Sequence, residues 1–406
     1  MDGTVIPNKA KESDCKNNIV ARWKNTPIFV AIKKQIMKKI FLSLLVILSA
    51  NTFAQQRCGT TLRTQNLLQN NTEFATAKQK VNTDTKKWME NNTNYSTKSI
   101  ITIPVVVHVV WKNPVQNISD AQILSQIDVL NKDFRKLNID TLNTPTVWKP
   151  IAADSEIEFC LATTDPNGNT TNGITRFQTT VSSFDISDDG VKHTADGGAQ
   201  GWPSEDYLNI WVCNLDNLLG YSTVPSNWTD PDDGVVIAYQ YFGITNDPQY
   251  GKGRTATHEV GHWLNLDHLW GTGWNSCGDD QVNDTPTQEW ENYGCPSFPE
   301  DPNSCNTTNA NGDMFMNYMD YTNDACMNLF TEGQKNRMVS AINQYRSELL
   351  TQTICGGSVA IQEIESNEKI LLKVVNILGQ ETKERKNIPL FYIYDNGTVE
   401  KRIILE

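Results

Sequence analysis

Apolar and polar positions divide the chain into stretches of different period. Ile101 to Trp111 (ITIPVVVHVVW) is β-branched and almost continuously apolar, the pattern of a central strand buried on both faces. Ser119 to Gln122 reads as a capping box, and Ile123, Ile127, Leu130, Phe134 and Leu137 follow at helical spacing. Strand-like runs recur at Ile157–Ala162, Tyr207–Leu215 and Gly234–Phe242, separated by Gly, Asp, Ser and Asn loops. Helices are predicted over Thr255–Leu264 and over Glu332–Leu350, the latter with Met338, Ile342 and Tyr345 on one stripe. A mixed sheet with helices laid across it is the simplest α+β architecture for this order.

The two ends read differently. Met37-Lys38-Lys39, an eleven-residue run from Ile40 to Ala50 interrupted only by serines, and small residues at Thr52 and Ala54 together predict a signal peptide over 37–54. Residues 1–36 then read as an extension from a misassigned start. The run is too short to span a bilayer, and no later run is longer, so no transmembrane segment is expected. Residues 55–98 are polar with little periodicity, as in a flexible or pro-segment. Gly356-Gly357-Ser358 marks a boundary, after which Ile370 to Gly379 and Pro389 to Glu406 alternate like strands around an Asn396-Gly397 hairpin turn.

Charge sharpens this division. Residues 1–54 hold nine Lys or Arg against three Asp or Glu, so a net −12 for the chain leaves −18 on the rest. An acidic body repels phosphate backbones, which argues against nucleic-acid binding. Beyond Cys15 eight cysteines remain, and outside the cytoplasm an even set reads first as disulfides.

Three of five histidines fall within eleven residues. His258-Glu259-Val260-Gly261-His262 puts two imidazoles on one helical face, where both reach one metal ion, with Glu259 beside them to take a proton from bound water. His268, six residues on, returns as a third ligand if the chain reverses after Leu264, and Asn265 stands where a left-handed residue is needed. Three protein ligands leave the fourth tetrahedral position of zinc open.

HEVGHWLNLDH resembles the extended zinc motif of the metzincin metallopeptidases, and its surroundings are most similar to the pappalysins, in particular ulilysin-like and cytophagalysin-like enzymes, over roughly residues 100–350. The motif normally carries Gly where this chain has Asn265. The resemblance implies a metzincin-like catalytic domain over 99–355, with a mixed twisted sheet, an active-site helix and an irregular, disulfide-rich lower part. It implies Met319 as the Met-turn floor beneath the metal, Tyr321 as stabiliser of the tetrahedral intermediate, and residues 220–225 as the rim against which extended substrate pairs. Asp324 falls where the family has an acid in the pocket for the residue just after the cleaved bond, so cleavage before Arg or Lys is expected. Asp280, the Asn283 carbonyl and Thr285 match a calcium-binding loop, against the alternative of an acidic solvated turn. Cys277–Cys305 and Cys295–Cys326 are the pairings the family pattern implies, although the sequence leaves three connectivities open for these four. Cys160 and Cys213, each on a strand, offer a third bridge.

Arg57-Cys58-Gly59-Thr60 resembles the family's pro-segment motif, in which a thiolate occupies the zinc; a disulfide from Cys58 to Cys355 is the alternative. Lys78, Lys80, Lys86, Lys87 and Lys98 offer sites for cutting the pro-segment. Residues 356–406 resemble a type IX secretion C-terminal sorting domain, with a small β-module as the alternative. The expectation is a latent zinc endopeptidase, secreted by way of the type IX machinery and then free or attached to the cell surface. It would bind protein or peptide substrates. A secreted metal-binding or adhesion module without catalysis is the competing class, distinguished by whether Glu259 does chemistry.

Overall fold

A computed structural model of the chain describes residues 56–92, 100–187, 189–226, 232–271, 277–301, 305, 310–352, 354–355, 371–376, 379–383, 386–394 and 399–403. The expected leader segments and the Asn396-Gly397 turn lie outside the described residues.

The long apolar run becomes the middle of a seven-stranded sheet. β2 (Ile101–Trp111) pairs in parallel with β5 (Leu208–Cys213) along one edge. Along the other it pairs with β3 (Ile157–Leu161) through its first half and β4 (Ile174–Gln178) through its second. With neighbours on both edges and layers on both faces, β2 has no polar side, and Val105, Val107 and Val109 are wholly buried. β7 (Val235–Ala238) extends the sheet in parallel beyond β5. β6 (Leu218–Ser222) joins β7 antiparallel, and β1 (Gln56–Cys58) adds to β6 in parallel, with Cys58 opposite Gly220. The helix numbering in chain order is α1 (Thr60–Asn70), α2 (Thr72–Asn91), α3 (Asp120–Phe134), α4 (Arg254–Trp263) and α5 (Glu332–Tyr345). α3 starts at Ser119, whose hydroxyl accepts the Gln122 N–H at 3.2 Å, and its Ile123, Leu130 and Phe134 enter the main core.

Several expectations change. The segment read as polar and aperiodic forms α1 and α2. The buried face of α2 is Phe74, Lys78, Val81 and Thr85, a helical stripe in which a lysine and a threonine hide the period from a hydrophobicity reading. The run Gly234–Phe242 is strand only to Ala238, because β5 ends at Cys213, the residue paired with Ala238. α5 stops at Tyr345 rather than Leu350. At Arg346 the chain turns so that the guanidinium lies 3.9 Å over the Trp263 ring and bonds both oxygens of Asp233.

Cys277–Cys305 and Cys295–Cys326 form. The proposed Cys160–Cys213 bridge does not: Cys160 pairs with Cys355 at a Cα separation of 5.9 Å, and Cys213 is a buried free thiol. The sheet explains why. β3 and β5 lie on opposite edges of β2, about 9–10 Å apart at 4.7–4.9 Å per strand. Cys160 is opposite Pro104 whereas Cys213 lies beyond the Val109–Val212 pair, out of disulfide reach. Cys355 is therefore neither free nor bonded to Cys58.

After residue 370 the described residues form a separate antiparallel sheet of β8 (Leu371–Val375), β9 (Pro389–Tyr394) and β10 (Val399–Ile403), in the order β10-β9-β8. Leu390, Tyr392 and Tyr394 fill its small core.

Candidate metal centre and active site

α4 is buried along its whole length, so its polar side chains must find partners inside the protein. The helix ends in a left-handed cap. Asn265 has φ +74°, its N–H bonds to the His262 carbonyl and the Leu266 N–H to that of Gly261, the two bonds of a Schellman motif. This reversal brings His268 back beside His258 and His262, with Nε2 atoms 3.0–3.2 Å apart.

Each ring is oriented from behind. His258 Nδ1 lies 2.7 Å from the Tyr318 carbonyl, His262 Nδ1 2.7 Å from the Leu266 carbonyl, and His268 Nδ1 3.0 Å from the Thr61 hydroxyl. Nδ1–H donation to the two carbonyls leaves Nε2 of His258 and His262 as acceptors. Burial, with some mutual repulsion, pushes the pKa of His258 and His268 well below the usual value, and burial takes that of His262 to about 4. Converging neutral lone pairs call for a cation. Tetrahedral bonds of 2.0–2.1 Å put ligand nitrogens about 3.3–3.4 Å apart, close to the spacing seen, so the residues present fit a zinc ion. Cys58 completes the group, its ligand atom within 4.8 Å of the three imidazoles.

Glu259 is fully buried beside them. Its Oε2 accepts the Thr60 hydroxyl at 2.7 Å, and burial lifts its pKa to about 7 against the opposing hydrogen bonds of Thr60 and Cys58. Met319 lies directly beneath α4, where a Cβ on Gly261 would come within 2.6 Å of its Sδ. The turn that carries it is fastened by Asn317, whose Oδ1 accepts the Met319 N–H and whose amide exchanges bonds with Gln334. The Tyr321 ring stands 5.0 Å from His268 and 5.7 Å from His258, and burial, then Cys58 and Glu259, push its hydroxyl pKa upward.

Asp324 is buried, with Oδ2 accepting the backbone N–H groups of Lys252 and Arg254. Its other oxygen holds Arg57 at 3.2 Å, and that guanidinium stacks 4.7 Å over Tyr250 and donates to the Thr322 carbonyl. Of the three residues expected at calcium, Asp280 and Thr285 meet, Thr285 donating to Asp280 Oδ2 at 2.8 Å; the Asn283 side chain is exposed. The two remaining histidines stay outside the centre: His108 is buried on Thr175 and Asn209, and His193 bonds Asp232.

The sequence reading missed the support behind the centre. Asp133, on the buried face of α3, accepts the Thr257 and Tyr318 hydroxyls and pairs with Arg254. Through Tyr318 it reaches the carbonyl that orients His258. The signal was present: an aspartate three residues after Leu130 interrupts an otherwise apolar stripe. Thr60 and Thr61 were also missed as partners of Glu259 and His268, which lie 199 and 207 residues away.

The family described as pregnancy-associated plasma protein-A, an M43 peptidase family, matches residues 192–343. An extracellular metalloprotease of Arthroderma benhamiae is 30% identical over 61% of this chain and 79% of its own. One of Uncinocarpus reesii is 40% identical over 146 residues, 34% of this chain, and there the match spans about half of the relative, 49%. Among solved structures, a variant of promirolysin from Tannerella forsythia is 49% identical with a TM-score of 0.66, covering 73% of this chain and 97% of that one. By sequence, by fold and by the histidine cluster at the end of α4, the chain belongs to the pappalysin family of zinc metallopeptidases.

Proposed function

We propose that the protein is a secreted zinc endopeptidase, made as a latent zymogen, that cuts peptide bonds on the N-terminal side of arginine or lysine. The observation that carries the reading is the convergence of Cys58, His258, His262 and His268 next to Glu259. The three imidazoles would hold the metal through Nε2. Zinc, when bound, lowers the pKa of a water molecule at its open position and polarises a carbonyl oxygen. Glu259 takes the proton of the attacking water and delivers it to the leaving amine. Tyr321, whose ring lies close to His258 and His268, stabilises the oxyanion by donating its phenolic hydroxyl.

Latency follows from one short segment. Cys58 would fill the open ligand position of a bound metal, Thr60 occupies the base, and Arg57 lies on Asp324 as the basic residue of a substrate would. Release requires cutting the segment, and of its lysines Lys80, Lys86 and Lys87 are exposed whereas Lys78 is buried, and Lys98 lies outside the described residues. Asp280 fits a structural calcium site: burial lifts its pKa to about 7, and a divalent cation with Thr285 and the Asn283 carbonyl would supply the missing charge. The signal-peptide pattern before Gln55 and the small C-terminal β-sheet support export by the type IX route.

A peptide-library digest by the matured protein tests the reading. Cuts should fall before Arg and Lys and cease with a zinc chelator, Glu259→Ala should keep its zinc but lose cleavage, and Cys58→Ala should activate sooner than wild type. Cleavage that survives zinc removal would sink the zinc mechanism, and cuts before apolar residues, unchanged in Asp324→Ala, the specificity.

A further inference from the structure

Arg57 is one of two arginines of the N-terminal segment seated on acids of the main body, one buried and one part-buried. Arg63, in the first turn of α1, donates from Nε and Nη2 to one oxygen of Asp189 at 3.1 and 2.9 Å, with the two side chains 11% and 13% exposed. Asp189 is built in. It stands at φ +53° at the start of the Gly190–Lys192 turn, and its other oxygen faces Lys192 Nζ at 3.2 Å. Lys192 is wholly buried against the faces of Trp211 and Tyr221 and donates to the Asp232 carbonyl. One oxygen thus has a fixed partner within the body of the protein, and the other receives a guanidinium from a segment that is lost on activation.

Chain order locates this acid relative to the metal centre. β1 runs along β6 with Cys58 at the histidines; Arg57 precedes it and lies on Asp324, while Arg63 follows it and lies on Asp189. A Cβ on Gly59 would meet Ile186, Leu218 and Tyr221, so the chain leaving Cys58 passes against the loop that carries Asp189. Between Asp185 and Asp233 the only Lys or Arg is Lys192.

We propose that Asp189 is a second specificity-determining residue, which in the matured enzyme binds a basic side chain of the substrate on the opposite side of the cleaved bond from Asp324, that is, before the bond. This rests on the reading of Asp324 as the pocket after the bond. When Arg63 leaves, a part-buried carboxylate oxygen loses two N–H donors, and an arginine or lysine of the substrate restores them.

The test uses matured enzyme and two peptide sets, one with arginine fixed after the cleaved bond and Arg, Lys, Gln or Leu at each of the three positions before it, the other with Gln at those three positions and Arg, Lys, Gln or Leu after the bond. Wild type should prefer Arg or Lys over Gln at one of those positions by about tenfold in kcat/KM, the worth of roughly one charge-assisted pair. Asp189→Asn should remove that ratio while leaving the preference after the bond, which Asp324→Ala abolishes instead. In the full-length chain, Arg63→Gln should shorten the lag before activity in the wild-type background and not in Asp189→Asn. No basic preference before the bond, or a preference that survives Asp189→Asn, overturns the proposal. Loss of the preference after the bond in wild type sinks the Asp324 reading separately.

Discussion

Gly261 shows how little room a single residue has at the metal centre. It lies between His258 and His262 on α4, over the fully buried Met319, whose backbone is held by Asn317. Gly261→Ala puts a methyl 2.6 Å from Met319 Sδ. Over-packing of this kind costs about 1–3 kcal/mol, so the variant should melt several degrees lower and bind zinc more weakly, and Met319→Ala in the same chain should restore part of the loss. An unchanged melting point would mean that Met319 is free to move and is no rigid floor. At this scale the sequence was most legible where partners are local. His258 and His262 stand one helical turn apart, so spacing alone put them on one face. Thr60, Thr61 and Asp133 escaped notice because their roles depend on contacts more than a hundred residues away in the chain.

Among the elements, α2 carries the largest difference between expectation and structure. It docks through Lys78 and Thr85 onto Asn265, the residue that replaces the family's usual glycine: Lys78 Nζ donates to Oδ1 at 2.8 Å and Nδ2 donates to Thr85 at 3.2 Å. The left-handed turn tolerates Asn or Gly, but only Asn offers an amide to both side chains. Burial lowers the Lys78 pKa from 10.5 to about 8, against the opposing charge of Asp267. Between these values the unfolded chain binds more protons than the folded one, so folded stability rises with pH across that window and the penalty is fully present below it. In a Glu259→Ala zymogen, which on the proposed mechanism does not cut itself, the melting temperature measured relative to Lys78→Met should rise between about pH 8 and 10. Parallel curves for the two proteins would show that Lys78 is not held in a dry site.

Over the whole molecule, two long-range closures complete the fold. β1 extends the sheet edge at β6, and Cys160–Cys355 ties the end of the main body back to β3 across 195 residues. With three bridges made, Cys58 and Cys213 are the free thiols of the described residues. A zymogen lacking residues 1–54 should therefore titrate two thiols when denatured, and the matured enzyme one. Cys160→Ser and Cys355→Ser should each lower stability by about 2–5 kcal/mol and expose one further thiol. A wild-type count of one, or of three and above, would contradict the pairing.

The sequence by itself determined whatever depends on short spacing: the central strand, the capped helix after it, two histidines on one face of α4, a left-handed residue at Asn265, and the family resemblance that linked those motifs to zinc. Helical and pleated periods act over a few residues and are written directly in the order of side chains. Only the tertiary structure decided that Cys160 joins Cys355, that α5 yields at Arg346 to Asp233, that a polar stripe containing Lys78 makes a docked helix, and that Arg57 finds a buried acid and Arg63 a part-buried one. These outcomes depend on which surfaces meet when the sheet closes, and a lysine or arginine reads as solvated until the carboxylate or amide that receives it is in place.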